Sequence, residues 1–172
     1  MNSRLLICLA LVFGVAPVLC TSCTHPVRNQ NEPAFQQLPA EIAEAFNAKD
    51  YAKAQTLAAE ATHNNPKFAE AWVGYGMASV RLGQMDRARQ AYERALSLYQ
   101  ARHRLHPAEA NPVVQQIFLL ELLGRSDEAE SLLKSAQTSY PDDQQIAMWV
   151  LHWTELKRSF ENWKVSPKRT KL

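Results

Sequence analysis

The fold is decided by residues 69–98, which read AEAWVGYGMASVRLGQMDRARQAYERALSL. Apolar residues recur at three- and four-residue steps on both sides of Gly83, which indicates two amphipathic helices joined at this glycine. Glycine adopts the left-handed conformation that ends many helices, and Asp86 lies where a carboxylate caps the next helix. The stretch therefore predicts a helical hairpin, with small alanines where the two helices approach closely.

The hairpin repeats along the chain. Ala88 follows Ala54 at an interval of 34, and Ala129 follows Ala88 at an interval of 41. The interval from Gly83 to Gly124 is also 41. The unit is therefore about 34 residues long, with a seven-residue insertion in the middle copy, and self-similarity at this period is typical of a helical solenoid.

The seven-residue insertion follows Ala95 and ends before Pro107. An insertion of this length makes two helical turns to within about 20° of rotation, so it extends a helix without turning its buried face. We expect one helix from about Asp86 to His106, because Pro107 then stops it.

The repeated positions resemble the tetratricopeptide repeat (TPR) family, whose pattern is Trp-x2-Leu-Gly-x2-Tyr followed by Ala, an aromatic residue, Ala and Pro. The resemblance implies an all-α solenoid of antiparallel helix pairs, with repeats at residues 35–68, 69–109 and 110–143. In the first copy, Lys49 and Ala58 stand where the turn glycine and the packing aromatic residue are usual. Aromatic residues, glycines and alanines are expected to pack the helices of the repeats: Trp72, Tyr75, Gly76, Gly83, Ala88, Tyr92, Ala95, Gly124, Ala129 and Ala136.

Residues 144–163 carry one apolar stripe at three- and four-residue steps, which predicts a single helix. A solenoid leaves the apolar face of its last repeat exposed, so we expect this helix to cap it. The alternative, strongest for Trp163, is a docking surface, since Trp is common at interface hot spots. Residues 164–172 have four basic residues and no acidic one, and are expected to form a solvated tail or to contact anionic lipid.

Residues 1–22 predict a signal peptide of the lipoprotein type. Arg4 precedes an uncharged run over residues 5–19, which is too short to span a bilayer comfortably. Residues 18–23 read VLCTSC and resemble a bacterial lipobox, in which a cysteine after a small residue is lipidated and becomes the mature N-terminus. We expect lipidation at Cys23 and a polar tether over residues 23–34. The alternative is ordinary secretion with cleavage nearby.

Composition and motifs argue against several other classes. The 172 residues carry 19 Lys and Arg against 17 Asp and Glu, and a net charge of +2 is too small for a general nucleic-acid binder. Three cysteines cannot build a small disulfide scaffold. The sequence has no H-E-x-x-H, G-x-S-x-G, P-loop or G-x-G-x-x-G motif, and His103 and His106 have no evident third ligand nearby. We therefore expect no enzymatic activity, metal or cofactor.

The candidate site is the inner surface of the solenoid, which the first helix of each TPR lines. An apolar groove with Met and aromatic residues suits an amphipathic helix or an extended apolar segment of another protein. The alternative is that the C-terminal helix or a second copy already covers it. The family pattern places these residues in the groove: Phe46, Val73, Met77, Val80, Arg81, Val114, Phe118, Glu121 and Leu122.

One known TPR ligand is not expected. Adaptors of heat-shock chaperones hold a C-terminal carboxylate with Lys, Asn and Arg on this surface. The corresponding positions here are Pro39, Ala43, Gly74, Asn111 and Gln115. The carboxylate clamp is therefore absent from this sequence.

Together these features predict an exported, lipid-anchored TPR adaptor that mediates protein–protein interactions in the bacterial cell envelope. By analogy with enteric lipoproteins, the expected location is the outer membrane facing the periplasm, because Thr24 rather than Asp follows the cysteine. The process served is assembly or maintenance of an envelope complex, such as pilus, secretion or cell-wall machinery. The alternative is a self-assembling structural module, whose groove is occupied by its own chain or by a second copy in a homo-oligomer.

Overall fold

The computed structural model describes residues 38–165, which form eight α-helices and a short 3-10 helix, Glu161–Trp163. The predicted signal peptide, Cys23, the tether at residues 23–34 and the tail beyond Val165 lie outside the described residues. The helices are α1 (Ala40–Asn47), α2 (Tyr51–Asn64), α3 (Ala69–Arg81), α4 (Met85–Leu105), α5 (Asn111–Leu122), α6 (Ser126–Ser139), α7 (Gln144–Leu151) and α8 (Trp153–Phe160).

The first six helices form three hairpins, and each helix packs against the next along the chain. This is the predicted all-α solenoid. Helix α5 is completely buried, from Asn111 to Leu122. Helix α4 is continuous over the inserted turns, and Leu96 and Tyr99 keep its buried face directed inward.

The three hairpins turn in the same way. Gly83 and Gly124 have φ angles of 72° and 74°, and Lys49 takes the equivalent place with a φ of 58°. At each turn two backbone N–H groups return to the last helical turn; Gly83 donates to Val80 O and Gln84 to Ser79 O. These bonds satisfy carbonyls that the helix end leaves free. Lys49 therefore performs the glycine's role at a cost in backbone strain.

The expectation that Asp86 caps a helix is wrong. Helix α4 begins at Met85, with Gln84 as its N-cap, so Asp86 lies within the first turn. Side-chain caps occur instead at Asp50, whose Oδ1 accepts from Lys53 N at 3.0 Å, and at Asp143, whose Oδ1 accepts from Ile146 N at 2.9 Å. The tight turn leaves too few residues between Gly83 and α4 for Asp86 to occupy the capping position.

Close packing within the second repeat depends on Gly76. A side chain at this position would overlap the ring of Tyr92, which packs against α3 and is fully buried. Ala88 and Ala95, on the same face of α4 as Tyr92, are also fully buried. Small residues thus let α3 and α4 approach closely around one large aromatic ring.

The prediction of a single capping helix over residues 144–163 is wrong. The chain bends at His152, which ends α7 and begins α8 with φ −108° and ψ 19°. A straight helix of this length would extend about 30 Å, whereas the 12 residues of α5 and 14 of α6 span about 18–21 Å. The bend turns the last residues back over the solenoid, where their apolar side chains are buried instead of overhanging into solvent.

Replacing Lys49 by Gly should stabilise the protein. A lysine in the left-handed conformation costs about 1–2 kcal/mol. Glycine removes this strain, but its more flexible backbone loses more entropy on folding, which costs about 0.5–1 kcal/mol. We expect a gain of about 0.5 kcal/mol, measured by urea unfolding. Lys134→Gly, in the exposed middle of α6, is the matched control and should lose about 1 kcal/mol. A loss at both positions would contradict the turn geometry.

Candidate inner-face groove

The predicted groove residues lie on α1, α3 and α5, the first helices of the three hairpins. Phe46, Arg81, Phe118 and Glu121 come together there because all four contact residues 160–165 of the same chain. We call residues 160–165 the C-terminal strap. The strap crosses the inner face, so it connects the three repeats at one site.

The groove is not open. Of the nine predicted groove residues, eight are buried and Arg81 alone is exposed. Of the alternatives drawn from the sequence, the structure has the one in which the chain's own C-terminal region covers this surface. The physical reason is the bend at His152, which brings Phe160, Trp163 and Val165 onto apolar side chains of the inner face.

Aromatic contacts hold both ends of the strap. The ring of Phe160 meets Phe118 edge-on, with 4.9 Å between centroids. The indole of Trp163 meets Phe46 edge-on at 5.9 Å, and the Arg81 guanidinium lies 4.1 Å from the Trp163 ring centroid. Edge-to-face pairs and a cation over an indole are favourable geometries for these groups. The site thus binds two aromatic side chains three positions apart.

A buried ion pair lies between these aromatic contacts and the end of the strap. Lys164 Nζ donates to Glu121 Oε1 at 2.6 Å and to Glu161 Oε1 at 2.8 Å. The Glu121 side chain is 0% exposed and that of Lys164 is 19% exposed. A buried carboxylate without a cation is strongly unfavourable. Glu121 therefore selects a basic residue at this position of the strap.

The charge of Lys164 is kept by its partners. Burial lowers the pKa of Lys164, but its hydrogen bonds to Glu121 and Glu161 and their negative charges raise it more, so the pKa lies above the ordinary value of 10.5. A lysine whose pKa is raised in the folded state stabilises that state fully at pH values below its ordinary pKa. This stabilisation is lost as the pH rises through the raised pKa. The lysine is accordingly charged at neutral pH.

Backbone hydrogen bonds complete the site. Tyr92 Oη donates to Trp163 O at 3.0 Å, and Val165 N donates to Leu122 O at 2.9 Å. The Val165 side chain is fully buried. Burial raises the pKa of Tyr92 well above its ordinary value, so the phenol remains a donor. One bond goes to a carbonyl of the strap and the other comes from an N–H of the strap. The strap is therefore held through its backbone as well as its side chains, as a bound peptide is.

Sequence reasoning placed Glu121 and Arg81 in the groove but missed Lys164, Val165 and the hydrogen-bonding role of Tyr92. One signal was available for the ion pair. Glu121 is the only charged residue of α5, whose other positions are mainly apolar. A lone carboxylate on a buried helix requires a cation, and the basic C-terminal stretch begins at Lys164. Nothing local to Val165 indicates its burial.

Other candidate sites remain without support in the described residues. Between residues 38 and 165, no three His, Cys, Asp or Glu side chains group as a metal site would require. His103 instead lies beside Tyr140, with 6.5 Å between ring centroids. Within the same range, no helix has both the length and the apolar character needed to span a membrane.

A family model for the tetratricopeptide repeat matches residues 41–105, which include nearly all of α1 through α4. Over these residues the chain is similar to the tetratricopeptide repeat family. The third hairpin, α5–α6, lies beyond the matched residues and has the same helix–turn–helix form. No curated protein and no solved structure matches the chain.

The match to the tetratricopeptide repeat has a general functional implication. TPR domains bind other proteins, and they are typically scaffolds without catalytic activity. The inner face that holds the strap is therefore assigned to a protein-binding fold. This assignment agrees with the geometry, because the strap itself is a polypeptide segment bound through aromatic, ionic and backbone contacts.

Replacing Lys164 by Ala should release the strap. The variant leaves Glu121 buried without its cation, and a hydrogen bond to a charged group is worth about 1.5–3 kcal/mol. We expect exchange of the Val165 amide hydrogen to become roughly 10- to 100-fold faster, as measured by NMR. Lys157→Ala is the control, since Lys157 Nζ lies 5.4 Å from the Trp153 ring centroid on the same terminal segment. Equal protection in the two variants would mean that the ion pair does not hold the strap.

Proposed function

We propose that this chain is an exported, lipid-anchored TPR adaptor that binds another protein in the bacterial cell envelope. The observation that carries the binding role is the inner face, which holds a polypeptide segment by Glu121, Tyr92 and the Leu122 carbonyl. A surface that binds one segment so completely has the chemistry to bind a similar segment from another protein. The process served is assembly or maintenance of an envelope complex.

The proposed anchor is supported by the sequence of the N-terminal segment that ends at Cys23. Arg4, the uncharged run at residues 5–19 and the small residues before Cys23 follow the order of a lipoprotein signal peptide. Several acyl chains on one cysteine, at about 0.8 kcal/mol for each buried methylene, hold a protein on a membrane for long periods. The TPR domain then acts at a membrane surface facing the periplasm, which we assign to the outer membrane.

The anchor is tested by replacing Cys23 with Ser and separating membrane from soluble fractions. We expect the variant to leave the membrane fraction, because the sulfur that carries the lipid is absent. Cys20→Ser is the matched control and should remain attached, since it changes the neighbouring cysteine and leaves Cys23 intact. Continued attachment of the Cys23 variant would overturn the proposed anchor.

The occupied groove favours a second function as well. A TPR module whose inner face is satisfied by its own strap is a self-contained structural unit, and the second copy of a homo-oligomer then lies against the strap and the exposed edge of the groove. In that case the chain contacts a second copy of itself and no different protein at the inner face. The two functions therefore differ in which molecule contacts the exposed edge of the groove at Arg81. It is a different protein for the adaptor and a second copy for the structural module.

Photo-crosslinking in intact cells separates the two functions. A photoreactive residue at Arg81, which is exposed beside Trp163, should capture a different protein if the chain is an adaptor. The same residue at Lys134, on the exposed surface of α6, is the control and should capture less of it. Capture of a second copy alone at position 81 supports the structural module. Identical capture at the two positions would contradict a binding role for the inner face.

A further inference from the structure

We propose that the C-terminal strap is an internal competitor for the inner face, and that the partner inserts a segment with the pattern aromatic-x-x-aromatic-Lys-aliphatic. This inference rests on the proposed adaptor function and specifies the chemistry of its partner. The pattern is that of Phe160, Trp163, Lys164 and Val165, the four strap residues that contact the inner face.

The pattern follows from which strap side chains contact the inner face and which are exposed. Phe160 and Val165 are buried, and Trp163 and Lys164 are partly buried against α1, α3 and α5. Glu161 and Asn162 between them are exposed, and the Glu161 side chain is 62% exposed. The site therefore imposes no apolar requirement at the two middle positions. It requires an aromatic residue before them, and an aromatic residue, a cation and a small aliphatic residue after them.

Lysine is the most selective element of the pattern. The Glu121 carboxylate is fully buried and its Oε1 accepts from Lys164 Nζ. A competing segment without a cation at this place would leave that carboxylate uncompensated, which is strongly unfavourable. The two backbone bonds, from Tyr92 Oη and to Leu122 O, set the register and accept any residue except proline at the Val165 position. Specificity thus lies in the ion pair and the aromatic contacts.

The strap is joined to the solenoid in a way that lets it leave. Helix α7 is held independently, because Ile146 and Trp149 are buried in the core. The bend at His152 follows, and both His152 and Leu151 are exposed, Leu151 by 76%. Most residues of α8 are exposed or only partly buried, Phe160 being the exception. Rotation at this bend removes α8 and the strap from the inner face and separates Phe160 and Trp153 from Trp149, while α7 keeps its packing against α6.

Competition within one chain has a measurable size. A ligand whose site is free in only a fraction of molecules has its apparent Kd raised by the inverse of that fraction. If the strap occupies the site in about nine molecules of ten, its release tightens binding about tenfold. The strap of the intact chain must therefore weaken binding of the same segment supplied as a separate peptide.

The test uses the purified chain and a fluorescent peptide of residues 156–168, LKRSFENWKVSPK. The release variant carries Trp163→Ala and Lys164→Ala together. We expect this variant to bind the peptide at least about tenfold more tightly than the unaltered chain. A peptide with alanine at the positions of Trp163 and Lys164 is the matched control and should not bind either protein. Adding Glu121→Gln to the release variant should weaken binding of the unaltered peptide about tenfold or more.

A second measurement does not depend on the folding of any variant. Excess unaltered peptide added to the unaltered chain should speed hydrogen exchange at the chain's own Val165 amide, because the peptide displaces the strap. The control peptide should leave that exchange unchanged. No effect of the unaltered peptide on Val165, or equal affinity for the release variant and the unaltered chain, would overturn the proposal.

Two further outcomes separate this inference from the adaptor function. If the chain forms dimers that the peptide dissociates, the strap of a second copy is the occupant and the proposed partner segment is wrong. The photoreactive residue at position 81 could capture a protein whose crosslinked segment lacks the aromatic and lysine residues. In that case the proposed pattern is wrong, while the adaptor function stands. Peptide binding without any captured protein in cells would contradict the adaptor function and the partner segment that rests on it, while displacement of the strap by the peptide would still stand.

Discussion

A carboxylate buried in an apolar helix constrains the inner face of this protein. Glu121 lies on α5, all of whose residues are buried, and its own side chain is 0% exposed. An isolated charge at this depth would be strongly unfavourable, so a cation must reach it. Lys164 supplies that cation from a distant part of the chain. The C-terminal segment therefore has to cross the inner face, and the bend at His152 is what directs it there.

Tyr92 links this crossing to the packing of the repeats. Its ring occupies the space that Gly76 leaves on α3, while its hydroxyl donates to the Trp163 carbonyl. Tyr92, which occupies a packing position of the TPR pattern, thus also orients the strap. The same helix pair that forms the scaffold fixes the register of the segment bound on it. Repeat packing and occupancy of the groove are for this reason physically coupled.

Much of the fold could be predicted from the sequence, because repetition amplifies weak local signals. The regular period and the glycines at Gly83 and Gly124 predict the hairpins, and the seven-residue insertion predicts the long α4. The turn at Lys49 adopts the same positive φ without a glycine, since repeat geometry overrides local preference there. Asp86 was misplaced by the tightness of the turn, which puts it inside α4.

The candidate site was predictable only in part. Arg81 and Glu121 were placed on the inner face by the family pattern, and both contact the strap. The apolar stripe over residues 144–163 contains no Gly or Pro that would indicate a helix break, so the local sequence favours one straight helix. The break at His152 instead accompanies contacts between residues far apart in sequence, among them Phe160 with Phe118 and Lys164 with Glu121. Burial of Val165 follows from that bend and has no local signal.

The sequence by itself determined the helix pairs, their period and the surface that the first helices line, because these depend on local spacing of small, apolar and turn residues. The tertiary structure alone decided that the surface is filled, and by which segment. That outcome depends on contacts between residues far apart in the chain, among them Phe46 with Trp163 and Glu121 with Lys164. Local periodicity carries no information about such pairs, since it records which face of a helix is apolar and not what covers it.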